Sequence, residues 1–273
     1  MNLMSTSTVL KNLSMAAAGA ALITLGALGT VQAGATAATV VPNNLQTTEG
    51  NSANAFPFNI GGSCMGCPLP SQRYQQVYAA SEFASLSGPQ LISQILFRPD
   101  ASLGQAFSST LSDIQINLST TSAAPTGLST TFEDNVGSDD TVVFSGPLSL
   151  SSAFTGPEGG PKDFDIVINL LTPFLYNPSA GNLLLDIRNF AGGVTTFFDA
   201  QLQTEDSTSR GYTLGARDVN ASIGDTDSLG LVTKFTIISP PQAVPEPASV
   251  LGLFTVGAIG AGSALKRNKK QQA

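Results

Sequence analysis

The chain has 273 residues, with 12 Lys and Arg against 19 Asp and Glu, and it contains neither His nor Trp. Without His, Ser–His and Cys–His nucleophilic pairs and imidazole acid–base chemistry are excluded, and the commonest zinc ligand is missing. Between Gly34 and Val244 seven bases face eighteen acids, a net charge of −11, and a surface that acidic repels phosphate backbones and argues against nucleic acid as a partner.

At the start, Lys11 precedes the apolar run "LSMAAAGAALITLGALGT", and Val31-Gln32-Ala33 follows. A positive charge, an apolar stretch and small residues at its end are the pattern of a secretory signal peptide, so residues 1–33 are assigned to one, cut by signal peptidase after Ala33. The Ala-rich run to Ala38 offers a second cleavage point, and an uncut N-terminal anchor is the alternative. Removal of both ends leaves about 210 residues, enough for one all-β domain with its own core. Residues 34–70 read as an irregular arm with one short strand, carrying the apolar positions Phe56 and Phe58.

Within that arm, "GGSCMGCPLP" holds the only two cysteines, Cys64 and Cys67. In an exported chain a lone even pair suits a local disulfide. A metal or cofactor attachment and a redox pair are the other readings. Thioredoxin-like motifs sit where a strand feeds a helix, whereas Gly61, Gly62, Gly66 and Pro68 spell a loop. Pro68 also stands where haem attachment needs a His.

Residues 71–240 are expected to form the folded domain. "SQRYQQVYAASEFASL" is ambiguous, since Tyr74, Val77 and Tyr78 fit helical spacing, but Tyr and Val favour strands; strand is preferred. Then period-two alternation recurs. "DIQINLS" puts Ile114, Ile116 and Leu118 on one face, "FDIVINL" does so with Phe164, Ile166, Ile168 and Leu170, and "LLLDIRNF" with Leu183, Leu185 and Ile187. "LVTKFTII" sets Leu231, Thr233, Phe235 and Ile237 against Val232, Lys234 and Thr236. Such alternation marks half-buried strands. Leu91–Phe97, Thr141–Phe144, Leu148–Ser152, Thr195–Thr204 and Arg210–Ala216 are further strands, separated by turns such as "RPDASLG", "TGPEGGP" and "NPSAGN". About nine strands at this spacing predict an all-β fold, an antiparallel sandwich or jelly roll with each sheet wet on one side.

Acidic groups gather in "FEDNVGSDD" and "GDTDS", which makes Asp134, Asp139, Asp140, Asp225 and Asp227 candidate calcium ligands, because hard oxygens on loops suit that ion. Solvated turn carboxylates are the plainer reading, and no segment has EF-hand spacing. Calcium is the cofactor these carboxylates suggest, and none is required. Facing carboxylates also hydrolyse glycosides, but sugar grooves usually add Trp platforms, and this chain has none. The four Tyr, Tyr74, Tyr78, Tyr176 and Tyr212, are candidate sugar-stacking residues or half-buried edge residues.

Residues 241–273 differ from the rest. Ala248–Leu265 is an 18-residue run without a charge, which as a helix rises about 27 Å, close to the hydrocarbon thickness of a bilayer. Lys266, Arg267, Lys269 and Lys270 follow at once, and bases there hold a C-terminus in the cytoplasm. Before the run stands Val244-Pro245-Glu246-Pro247-Ala248-Ser249. Motif, apolar helix and basic end together resemble the PEP-CTERM sorting signal of Gram-negative bacteria. The segments "RYQQVYAASEF" and "PKDFDIVINLLTPFLYNPSAGNLLLDIRNF" are also similar to uncharacterised PEP-CTERM surface proteins. The resemblance implies that Pro245, Glu246 and Pro247 are read by exosortase, a membrane protease-transpeptidase, and that the precursor is held in the inner membrane before delivery to the envelope, outer surface or extracellular matrix. It further implies a non-enzymatic structural or adhesive role linked to exopolysaccharide and biofilm. A calcium-supported carbohydrate-binding module is the alternative, and a glycan hydrolase a third.

Overall fold

A computed structural model describes residues 36–60, 71–202, 207–213 and 219–240. The described chain contains thirteen strands: β1 (Thr36–Val41), β2 (Ser52–Asn54), β3 (Gln72–Tyr78), β4 (Gln90–Phe97), β5 (Phe107–Thr121), β6 (Thr141–Ser152), β7 (Ile166–Tyr176), β8 (Asn182–Asn189), β9 (Phe198–Leu202), β10 (Thr208–Tyr212), β11 (Asp225–Asp227), β12 (Leu229–Leu231) and β13 (Thr233–Ile238). All pair antiparallel, in sheets of order β1-β13-β4-β7, β11-β10-β3-β8-β5-β6 and β12-β9-β2. The only helical elements among the described residues are four 3-10 turns. The expected all-β antiparallel sandwich is therefore the fold.

Its two larger sheets meet through the alternating faces read from the sequence. Ile114, Ile116, Leu118, Ile166, Ile168, Leu183, Leu185, Ile187, Phe235 and Ile237 all join one core. Tyr78 of β3 meets Phe235 of β13 edge to face, with ring centroids 5.0 Å apart, and its hydroxyl bonds Thr233 Oγ1 across the same gap. Burying a ring of this size is worth about 1.5–3 kcal/mol, so such cross-sheet aromatics dominate the packing energy.

The structure departs from the sequence reading in several places. Leu231–Ile238 is not one strand. Val232 N–H donates to Asp199 O, so β12 pairs with β9 while β13 passes into another sheet between β1 and β4. Conversely, Thr141–Phe144 and Leu148–Ser152 join as β6. Gly146-Pro147 reads as a turn, but Gly146 takes φ +120° and β5 adds one residue opposite it, between Leu111 and Ile114. A bulge absorbs the irregularity without ending the strand. The N-terminal segment supplies two strands, β1 and β2, where one was expected, and Phe58 is fully buried.

Nor is each sheet wet on one side. Every residue of β3 is buried. Tyr74, Gln76 and Tyr78 face the core, while Arg73 and Gln75 lie beneath the 3-10 turn Phe132–Asn135, where Gln75 donates to Phe132 O and accepts from Asn135. Arg73 lies 4.9 Å from the Phe132 ring centroid. The four Tyr are core residues: Tyr74, Tyr78 and Tyr176 are fully buried and Tyr212 nearly so. That removes them as sugar platforms.

Candidate functional site

At one end of the four-stranded sheet, Val41, Thr233, Phe97 and Ile166 lie side by side in register. Beyond that row the chain passes into loops that carry charge inward. Phe97 leads to Arg98-Pro99-Asp100, and this segment runs antiparallel to Phe197–Asp199 through Asp100 N–H to Phe197 O and Asp199 N–H to Arg98 O.

Arg98 is 1% exposed and Asp199 is fully buried. Arg98 Nε donates to Asp199 Oδ2 at 2.7 Å, and Nη2 lies 2.6 Å from the same oxygen. Nη2 also donates to the carbonyls of Leu45 and Thr48, which ties the N-terminal segment to β4 and β9. Asp199 Oδ1 accepts from Gly50 N–H. Only glycine fits at position 50, because a Cβ there would stand 2.2 Å from Ala200 O and 2.6 Å from Asp199 Oδ1.

Two more carboxylates complete the cluster. Glu49, Asp100 and Asp199 each place an oxygen within 4.8 Å of the others. Asp100 Oδ1 accepts from Ser102 and Leu103 N–H, and Glu49 Oε1 from Ala101 N–H. Glu49 Oε2 is shielded from solvent and has no hydrogen-bond partner. Hard oxygens so close together suit either a shared proton or a hard cation, with Glu49, Asp100 and Asp199 as the residues that would hold it.

Burial pushes Asp199 up to about 7, against the pull of Arg98 and helped by the charge of Glu49. Burial raises Glu49 as well. In the unfolded chain both titrate near about 4, so between about pH 4 and 7 the folded state holds more protons and stability falls as pH rises. Glu133 acts in the opposite sense: the hydrogen bond from Arg73 holds it low, so its contribution is present above its unfolded pKa and is lost on acidification. The native state is therefore expected to be most stable at mildly acidic pH. Urea midpoints should be lower at about pH 8 than at about pH 5, and replacing Asp199 with Asn should shrink that difference. An equal or higher midpoint at the alkaline pH would contradict the assignment.

The five aspartates named as calcium ligands lie elsewhere. Asp227 is held by Arg210 through Nε and Nη2 at 2.8 and 2.9 Å, while Asp225 on the same strand is exposed. Asp139 accepts from Thr120 N–H, Asp140 from Asn117, and Asp134 from Ser129. None of the five belongs to the Glu49, Asp100 and Asp199 cluster. Near Asp140, the buried pair of Arg73 and Asp186 forms a second polar cluster with Glu133 and Gln75, which clamps the 3-10 turn to the sheet. Sequence reasoning missed the cluster at Asp199 because its members are far apart in the chain. Its one sequence signal is a charged residue directly after a buried aromatic at a strand terminus, as in Phe97-Arg98 at the end of β4 and Phe198-Asp199 at the start of β9.

Ala33, Cys64, Cys67, Pro245, Glu246, Pro247 and the four bases Lys266, Arg267, Lys269 and Lys270 lie outside the described residues, as does the apolar run Ala248–Leu265. Among the described residues no helix is long and apolar enough to cross a membrane. Residues 243–267 match the family described as the PEP-CTERM protein-sorting motif. No curated protein and no solved structure matches the chain.

Proposed function

We propose that the domain is a non-catalytic structural or adhesive module of the cell envelope or of an extracellular polysaccharide matrix. The observation that carries this reading is the sorting motif at 243–267, which makes the chain an exported precursor, anchored in the membrane and processed by exosortase. The domain's polar clusters favour binding over turnover. Asp199 is fully buried and Asp100 nearly so, so a glycosidic oxygen does not reach the closest-set carboxylates, and Arg73, Asp186 and Gln75 are consumed in holding the sheet to its cover. Deleting the gene from the host should reduce the polymer or the cell–cell adhesion retained at the surface. Unchanged retention with the wild-type protein demonstrably present at the surface would refute the role.

A second reading, a calcium-supported carbohydrate-binding module, draws on the same acidic cluster and on the unpaired Glu49 Oε2. It requires that glycan binding by the full-length chain disappear with chelator and return with calcium. Glycan binding indifferent to chelator would reject it.

A further inference from the structure

The loop between β6 and β7 folds back over the outer face of the four-stranded sheet. Phe164 packs there against Val40, Leu45 and Val232, a small apolar cluster separate from the main core. Beside it opens a cleft of about 520 Å3 whose walls include Arg98, Lys162, Phe164 and Lys234. Three of the seven bases found between Gly34 and Val244 thus meet at one opening, in a segment that carries eighteen acids. Composition alone would scatter them.

We propose that this cleft binds the carboxylate of an acidic sugar residue, such as a uronate, within a mostly neutral glycan. Arg98 is the central observation. Its side chain is almost wholly buried, and Nε and Nη2 are committed to Asp199, Leu45 and Thr48, yet Nη1 has no partner among the described residues. Arg98 lines the cleft, so Nη1 is a free donor at its wall, on a guanidinium whose other nitrogens are already fixed in place. Its charge is held in place from one side by the Phe164 ring, whose centroid lies 4.7 Å away. Lys234, projecting from the outer face of β13, brings Nζ to 5.8 Å from the same centroid and forms no ion pair with a described residue. Lys162 Nζ donates to Pro157 O at 3.3 Å, over the Phe154 ring, and keeps two further donors.

The opposing charges stand back from the opening. Asp100 and Asp199 are buried with Arg98 and do not line the cleft; Glu49 does not line it either, though the charge of Lys162 reaches it, and the one acidic wall residue, Asp163, accepts from Thr155 Oγ1. The walls therefore carry three positive charges against one negative. Gln46 and Thr47, exposed at the rim, supply amide and hydroxyl groups suited to sugar hydroxyls. The net −11 of the segment selects among anions, because a densely charged polymer is repelled at long range while an isolated carboxylate needs only the local field. Access is open too. Thr36 and Ile238, through which the chain enters and leaves the domain, pair at the opposite end of β1 and β13.

This inference rests on the envelope role proposed above, and its test is independent of it. The full-length chain in detergent micelles is titrated with methyl glucuronide, with methyl glucoside and with inorganic phosphate at low salt, by calorimetry. Glucuronide should bind at least about tenfold more tightly than either other probe, one charged and directional contact being worth a factor of this size. The double variant Lys162→Gln, Lys234→Gln should lose about tenfold for glucuronide with its urea midpoint unchanged, since neither side chain is buried in the core. Absence of glucuronide binding, equal binding of glucoside, or full affinity in the double variant overturns the site. Phosphate bound as tightly as glucuronide overturns the sugar assignment. Polymer retention by cells lacking the protein is scored separately, and a negative there bears on the envelope role alone.

Discussion

Replacing Asp199 with alanine is expected to lower the unfolding free energy by about 3–5 kcal/mol, the usual cost of leaving one member of a buried ion pair without its partner. Arg98 would then sit 1% exposed with Nε unpaired and only the Leu45 and Thr48 carbonyls on Nη2. Gly50 N–H would lose its acceptor as well. For a domain of this size the total stability is about 5–15 kcal/mol, so the variant loses a large share of it. The pair itself need not be worth that much. Desolvating both charges offsets most of their attraction, and the raised pKa of Asp199 is the sign of that offset. A combined Arg98→Met, Asp199→Leu variant should therefore recover most of the loss, giving a coupling energy of opposite sign to the single losses. Urea unfolding of the wild type, Arg98→Met, Asp199→Leu and the double variant measures the cycle. A single-variant loss below about 1 kcal/mol would mean that water reaches the pair and that the cluster is not part of the core.

The sandwich could be read from the sequence wherever a strand had one buried face. Ile114, Ile116 and Leu118 alternate with more polar residues, and period two is then unambiguous. The reading failed where the strand environment is not two-sided. β3 has a polar sequence, Gln72-Arg73-Tyr74-Gln75-Gln76, yet all of it is buried, because each polar side chain finds a partner far along the chain. Gln76 pairs with both the N–H and the carbonyl of Leu231, so its amide takes the place of a neighbouring strand. No local pattern encodes a contact 155 residues away. The candidate site was hidden for the same reason. Glu49 and Asp100 come from two loops and Asp199 from the start of β9, and only the closed sheet brings their oxygens within 4.8 Å. The acidic runs that stood out, around Asp139 and Asp225, are conspicuous because turns tolerate charge, and local backbone donors or side-chain partners hold Asp139, Asp140 and Asp227.

The largest functional effect is expected at the tail. Glu246→Ala should slow processing enough for uncut chain to accumulate, so that the peptide containing Lys269 and Lys270 is recovered with the membrane fraction, whereas the wild-type protein should end between Pro245 and Ser249. Ile238 is the last residue of β13, and only six residues, Ser239 to Val244, separate it from Pro245. Fully extended they span about 20 Å, and Pro240 and Pro241 within them, with Pro245 and Pro247 beyond, disfavour helix by fixing φ and removing N–H donors. A proline-rich sequence of this kind favours extended backbone over helix, the form in which proteases hold substrates. Within it Glu246 is the only charge between Lys234 and Lys266. Losing one hydrogen-bonded charge costs about 1.5–3 kcal/mol, so processing should slow by about tenfold to a hundredfold. Glu246→Asp, which keeps the charge on a shorter side chain, should recover part of the rate, and Ala248→Ser, which alters a neighbour without touching the motif, should leave it unchanged. Mass spectrometry of the C-terminal peptide from host cells measures all three, and normal processing of Glu246→Ala would show that the apolar run and its bases alone direct the cut.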